Sequence, residues 1–142
     1  MRLSARSEYG LRALAALAGR EAAEPVPLRQ LAEAEGLSEQ FLEQIFVELR
    51  KGGFVTSTRG ARGGYSLARP ADEILVFDLL ETLEGDLAPY ECVATDQPEC
   101  QQVPFCVTRQ VWVKLRESMQ QAIGTMTLAE MAGAPSRQTV GH

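Results

Sequence analysis

The 142-residue chain lacks most of what would place it among membrane proteins or enzymes. No apolar run approaches the roughly 20 residues that cross a bilayer. The opening residues, MRLSARSEYG, have no apolar core of the kind a signal peptide carries, which predicts a cytoplasmic protein with no membrane partner. There is one histidine, His142, at the far end of the sequence. No nucleophile triad, nucleotide-binding loop or paired acid/base site can be assembled from the rest, so no enzymatic activity is expected. Internal repeats are absent. Cysteine is limited to three residues, and an odd number in a reducing cytosol argues against a disulfide framework.

What is present suits one modest domain with an appended helix: 45% hydrophobic residues is enough to bury a core without covalent staples. The net charge of −5 argues at first against nucleic acid, but its distribution argues the other way. Residues 1–69 carry ten of the 14 Lys+Arg against eight acids, while the remainder carries four against eleven. From Leu49 to Ala71 there is no acid, yet Arg50, Lys51, Arg59, Arg62 and Arg69 all lie there. Screening makes the nearby field the one a phosphate feels, so a basic patch on an acidic protein still attracts it.

The periodicity predicts a mainly α fold with one small β-hairpin. An Ala/Leu-rich helix ends near Gly19, Pro25 and Pro27 break the chain, and a short helix LRQLAEAEG stops at Gly36. Ser38 is a favourable N-cap for the next helix, with Leu37 and Leu42 placed as a hydrophobic staple. That helix has an apolar stripe (Phe41, Leu42, Ile45, Phe46, Leu49) opposite a polar face with Gln40, Glu43, Gln44 and Lys51. Short helix, glycine turn and longer two-faced helix form a helix-turn-helix pattern. Strand-like residues at Phe54 to Thr58 and Tyr65 to Leu67, around a tip from Arg59 to Gly64, predict the wing of a winged helix. The turn glycines lack the Lys-Ser/Thr partner of a phosphate loop.

A further helix is expected to stop at Gly85. After the cysteine segment, VTRQVWVKLRESMQQAIG reads as an amphipathic helix with Trp112, Leu115, Met119, Ala122 and Ile123 on one side. Thr127 to Glu130 is a capping-box pattern opening a short last helix. The apolar stripe of the long helix either packs on its own winged helix or pairs with a second copy, and the second is favoured because helix-turn-helix proteins commonly read two half-sites as symmetric dimers. The organisation expected is 1–85 winged helix-turn-helix, 86–106 cysteine loop, 107–132 dimerisation helix with a short C-terminal helix, and 133–142 a disordered tail.

Cys92, Cys100 and Cys106 stand at C-x7-C-x5-C spacing on a proline-bearing loop. Structural zinc uses close cysteine pairs and four protein ligands, and neither is here. Wide spacing on a wrapping loop suits an iron–sulfur cluster, thiolate being its soft ligand. Three small buried hydrophobes would be the bland reading, and it explains poorly why all three share one acidic loop.

MRLSARSEYGLRAL, the block VPLRQLAEAEGLSEQFLEQIFVELRKGGFVTSTRGARGGYSL, and three cysteines before CVTRQVW together resemble the IscR/NsrR-type iron–sulfur winged-helix regulators over residues 1 to about 132. The resemblance implies a homodimer, with Cys92, Cys100 and Cys106 as thiolate ligands. IscR-like members carry a fourth ligand, histidine, where this chain has Arg109, and a guanidinium cannot ligate. Nitric-oxide-sensing members use an acidic residue near the start of the first helix, donated by the other subunit, and Glu8 stands there. Three thiolates and a carboxylate resemble the four-iron members (4Fe-4S) more than the two-iron ones (2Fe-2S), although the first cysteine gap is slightly long.

The function expected is a cluster-sensing transcriptional repressor bound to a palindromic double-stranded operator. Ser38 at the helix start, with Gln40, Glu43 and Gln44, would face the major groove, where Gln can bond adenine and Glu the cytosine amino group. Arg59 and Arg62 would enter or flank the minor groove, and Arg50 and Lys51 would meet phosphates. The alternatives are a cluster-free thiol-redox regulator and, less favoured, an electron carrier.

Overall fold

Two glycines decide where the central helices stop. In this computed structural model, which describes residues 3–19, 24–85, 87 and 107–133, helix α1 spans Ala5–Ala18, α2 Leu28–Glu35 and α3 Glu39–Lys51. Gly36 takes φ +67° after α2, a conformation costly for residues with a Cβ. The Leu37 N–H then reaches back to the Ala32 carbonyl at 2.8 Å. Gly53 (φ +82°) repeats the device after α3: its own N–H bonds the Arg50 carbonyl and that of Phe54 bonds the Leu49 carbonyl, each at 3.0 Å.

That cap also sets the first rung of the hairpin. With its N–H spent on the helix, Phe54 stays outside the ladder, which begins one residue later than the alternation of the sequence suggests. Strands β1 (Val55–Thr58) and β2 (Gly64–Leu67) pair antiparallel from Val55↔Leu67 to Thr58↔Gly64. Val26 exchanges two 2.9 Å backbone bonds with Tyr65 and so ties the entry of α2 to the base of the wing. Gly64 must be glycine for that approach, because a Cβ there would lie 2.3 Å from the Val26 carbonyl oxygen.

One core lies between α1, α2, α3 and the hairpin. Leu14, Leu31, Leu42, Ile45, Phe46, Leu49 and Leu79 are wholly buried in it, each worth about 1.5–3 kcal/mol of burial. Gly10 lets α1 lie close against its neighbours, since a Cβ there would meet Leu83 Cδ1 at 2.8 Å and Ile45 Cγ2 at 3.2 Å. Helix α4 (Val76–Glu84) ends at Gly85. Helix α6 (Leu128–Ala132) starts where the Thr127 hydroxyl accepts the Glu130 N–H at 3.1 Å, and it sinks Leu128 fully into the same core.

Helix α5 (Arg109–Ile123) buries no residue within one chain. Its apolar side is divided. Met119 and Ile123 pack on a second small core of Val76, Phe77, Leu80 and Leu87, whereas Ala122 is exposed and Leu115 is 46% exposed. Its C-terminal turns thus supply the apolar contacts with that second core. The molecule is therefore mainly helical with one two-stranded antiparallel hairpin, arranged as a winged helix-turn-helix.

Candidate DNA-binding face and cluster-ligand residues

The outward face of α3 is polar because its inward face is consumed by the core. Gln40, Glu43 and Gln44 are exposed and lie together at i, i+3, i+4 spacing. Ser38 is exposed too, but its hydroxyl accepts the Phe41 N–H at 3.2 Å, so it is committed first to starting the helix. Arg50 and Lys51 occupy the last turn, where the helix dipole favours cations. Arg50 Nη1 donates to Ser57 Oγ at 3.4 Å and links α3 to β1. Lys51 stands 3.7 Å from Glu48, an exposed pair that contributes little to stability.

Arg59 and Arg62 are exposed at the tip of the wing. The glycines between and after them shape that tip: Gly60 has φ +108°, and a Cβ on Gly63 would lie 2.2 Å from the Thr58 carbonyl oxygen. Between α3 and the wing runs an open cleft of about 540 Å³. Its walls include Glu39 and Glu43 from α3, Ser57 and Thr58 from β1, and Arg29 from the first turn of α2. Arg29 was not among the residues marked out by the basic run. It sits in a segment of ordinary charge, and only the Val26–Tyr65 pairing brings it beside the wing.

Glu8 lies in the first turn of α1 with an exposed side chain. That turn is clasped to the end of α4. The Ser4 N–H donates to Glu84 Oε2 at 2.9 Å, and the hydroxyls of Ser4 and Ser7 donate to the same oxygen. Ser7 is the one buried polar residue among those described. The Ser4 hydroxyl first, then that of Ser7, hold the Glu84 carboxyl below its ordinary range. A depressed folded pKa means stabilisation that is present above the unfolded value, about 4.3, and is lost as pH falls through the folded one. Glu84→Gln is therefore expected to melt lower than wild type at pH 7, with the gap closing in acid. Thermal melts across that range check it, and a gap that stays constant would refute the clasp.

Cys92, Cys100 and Cys106 lie outside the described residues, as do 134–142 of the expected tail, His142 included. Among the described residues no group of three or more His, Cys, Asp or Glu could hold a metal ion. Arg109 opens α5 with its Nε buried and without a hydrogen-bond partner among the described residues, and a guanidinium cannot replace a ligand. The donor set expected from the sequence is three thiols, with the Glu8 carboxylate exposed on α1. By its chemistry that set fits an iron–sulfur cluster better than a single hard cation. Among the described residues no helix is long and apolar enough to cross a membrane.

A two-faced helix beside a basic wing defines a DNA-binding regulator of the winged-helix class. Residues 3–134 match the Rrf2 family of iron-dependent transcriptional regulators, and the chain belongs to that family. It is 39% identical over 131 residues to Protein rrf2 of Nitratidesulfovibrio vulgaris, covering 92% of this chain and 87% of the relative. Among solved structures it is similar to CymR, the global cysteine regulator of B. subtilis, with a TM-score of 0.76, 29% identity, and 96% of this chain and 99% of that one covered. The IscR of T. potens is similar at a TM-score of 0.72 and 36% identity, covering 99% of this chain and 96% of that one.

Proposed function

We propose that this DNA-binding transcriptional regulator is a homodimeric repressor that senses iron–sulfur status. Cys92, Cys100 and Cys106 of one copy would hold a cluster, four-iron in preference to two-iron, with Glu8 of a second copy as fourth ligand. The observation that carries the DNA half is the exposed Gln40, Glu43 and Gln44 face beside a wing tipped by Arg59 and Arg62. The sensing half is supported by the donor set and by the family's iron dependence. Helix α5 supports the dimer: its Val111 and Leu115, one turn apart, are apolar and 47% and 46% exposed, and Val107 just before the helix is 77% exposed. A symmetric pair of recognition helices calls for a palindromic operator.

A bound cluster supplies iron that reacts with nitric oxide, oxygen or thiols. The chain's own part is to tie residues 86–106 to α1 of the other copy. DNA affinity then changes by the difference in cluster affinity between the two arrangements of winged helices. Anaerobic reconstitution with iron and sulfide, followed by operator binding with and without cluster, tests this. Iron-free protein after reconstitution would sink the sensing reading. The likeness to a global cysteine regulator favours a second one, in which the same three thiols act as a cluster-free redox sensor.

Arg59→Ala is expected to weaken operator binding by on the order of 1–3 kcal/mol. It should also relax preference for an A/T-rich minor-groove segment, where a narrow groove deepens the negative potential. Binding titrations at fixed salt check both effects. Unchanged affinity would remove the wing tip from the interface.

A further inference from the structure

The cleft between α3 and the wing poses a charge problem for any DNA reading. Its lining carries two carboxylates, Glu39 and Glu43, which repel phosphate. Yet a duplex that takes α3 in its major groove and the wing tip in the adjacent minor groove must lay one sugar–phosphate strand between them. The strand separating the two grooves crosses the space between the two contacts, and that space is this cleft. Among its described lining residues Arg29 is the sole cation. It is exposed, and among the described residues it forms no ion pair with either acid.

We propose that the cleft seats one sugar–phosphate strand at the crossing between grooves, and that Arg29 is the cation that holds it there. This deepens the DNA-binding reading and rests on it. Arg29 projects from the first turn of α2, which the Val26–Tyr65 pairing fixes against the wing, so its guanidinium is positioned from a rigid base. Ser57 lines the same cleft as a second donor. Because its oxygen accepts from Arg50, the Ser57 hydroxyl proton is left for an acceptor in the cleft. Thr58 adds another hydroxyl. Contacts of this kind set register and affinity while carrying no sequence information.

The chemistry separates Arg29 from the base-reading face. A phosphate contact releases condensed counterions, so each one adds about 0.9 to the slope of log affinity against log salt. In the cleft Arg29 is the charge that offsets the repulsion of a phosphate by Glu39 and Glu43, so its loss should cost more when both acids are present than when one is removed.

The test uses two duplexes of equal length: one selected from a random pool by the wild-type protein, and a scrambled version. Arg29→Ala is expected to weaken both by the same factor, on the order of tenfold, and to lower the salt slope by about one. In a Glu39→Gln background the same substitution should cost less. Thermal melts confirm that each variant is folded. An unchanged affinity and slope, or a loss confined to the selected duplex, overturns the proposal while leaving DNA binding intact. Wild-type protein that enriches no duplex from the pool at any redox state overturns the DNA reading and this proposal with it.

Discussion

Phe46→Ala is expected to remove about 3–5 kcal/mol of stability, the range for deleting a fully buried aromatic ring. For a chain of this size that lowers the melting temperature by about 10–20 °C. Phe46 is wholly buried, and its ring meets that of Tyr65 edge-on at 4.9 Å and 70°. Tyr65 in turn pairs with Val26 and lines the cleft beside the wing. The cavity therefore opens beneath the base of the wing as well as beneath α3, and DNA affinity should fall even where the variant remains folded. Phe41→Ala is the internal comparison. That ring is only partly buried and meets Tyr9 edge-on at 5.7 Å, so its loss should cost less. Urea unfolding of both variants measures the two costs. A smaller cost at Phe46 than at Phe41 would contradict this account of the core.

Much of this arrangement was legible in the residues. The stripe of Leu42, Ile45, Phe46 and Leu49 at helical spacing fixes which face of α3 is buried, and hence that Gln40, Glu43 and Gln44 are displayed. Caps carry the same local information, and Ser38 and Thr127 both accept the N–H three residues on. What sequence reasoning missed depends on contacts distant along the chain. Arg29 reaches the cleft because Val26 pairs with Tyr65 across 39 residues, and no periodicity records such a bridge. The clasp of Ser4 and Ser7 on Glu84 spans 80 and 77 positions and is equally silent in the sequence. The division of the α5 stripe is likewise tertiary. Met119 and Ile123 find Val76, Phe77 and Leu80, while Leu115 lies beyond the reach of that small core.

The clasp bears on the last and sharpest expectation, which concerns the proposed ligands. If Cys92, Cys100 and Cys106 hold a cluster, replacing any one with serine leaves two soft anchors. Anaerobically reconstituted protein should then lose nearly all of its visible absorption and bound iron. Glu8→Ala should be milder. Its three thiolates remain, so a cluster should form, but with an altered Mössbauer or resonance Raman spectrum and a lifetime in air shortened by at least about tenfold. Neither change should unfold the protein, because the turn bearing Glu8 is held by Ser4 and Ser7 on Glu84 rather than by Glu8 itself. A fall in melting temperature for iron-free Glu8→Ala would assign that residue a merely structural part. His142→Ala should leave spectra and lifetime alone. Mixing subunits makes the geometry testable: a heterodimer of Glu8→Ala with a triple-cysteine variant offers its ligands in two ways. If Glu8 serves the other copy's cluster, the only thiols present, on the Glu8→Ala chain, meet an intact Glu8 from the triple-cysteine chain, and the wild-type spectrum returns. If Glu8 serves its own copy, the heterodimer keeps the altered spectrum. A wild-type spectrum and lifetime in the Glu8→Ala homodimer would remove Glu8 from the ligand set altogether.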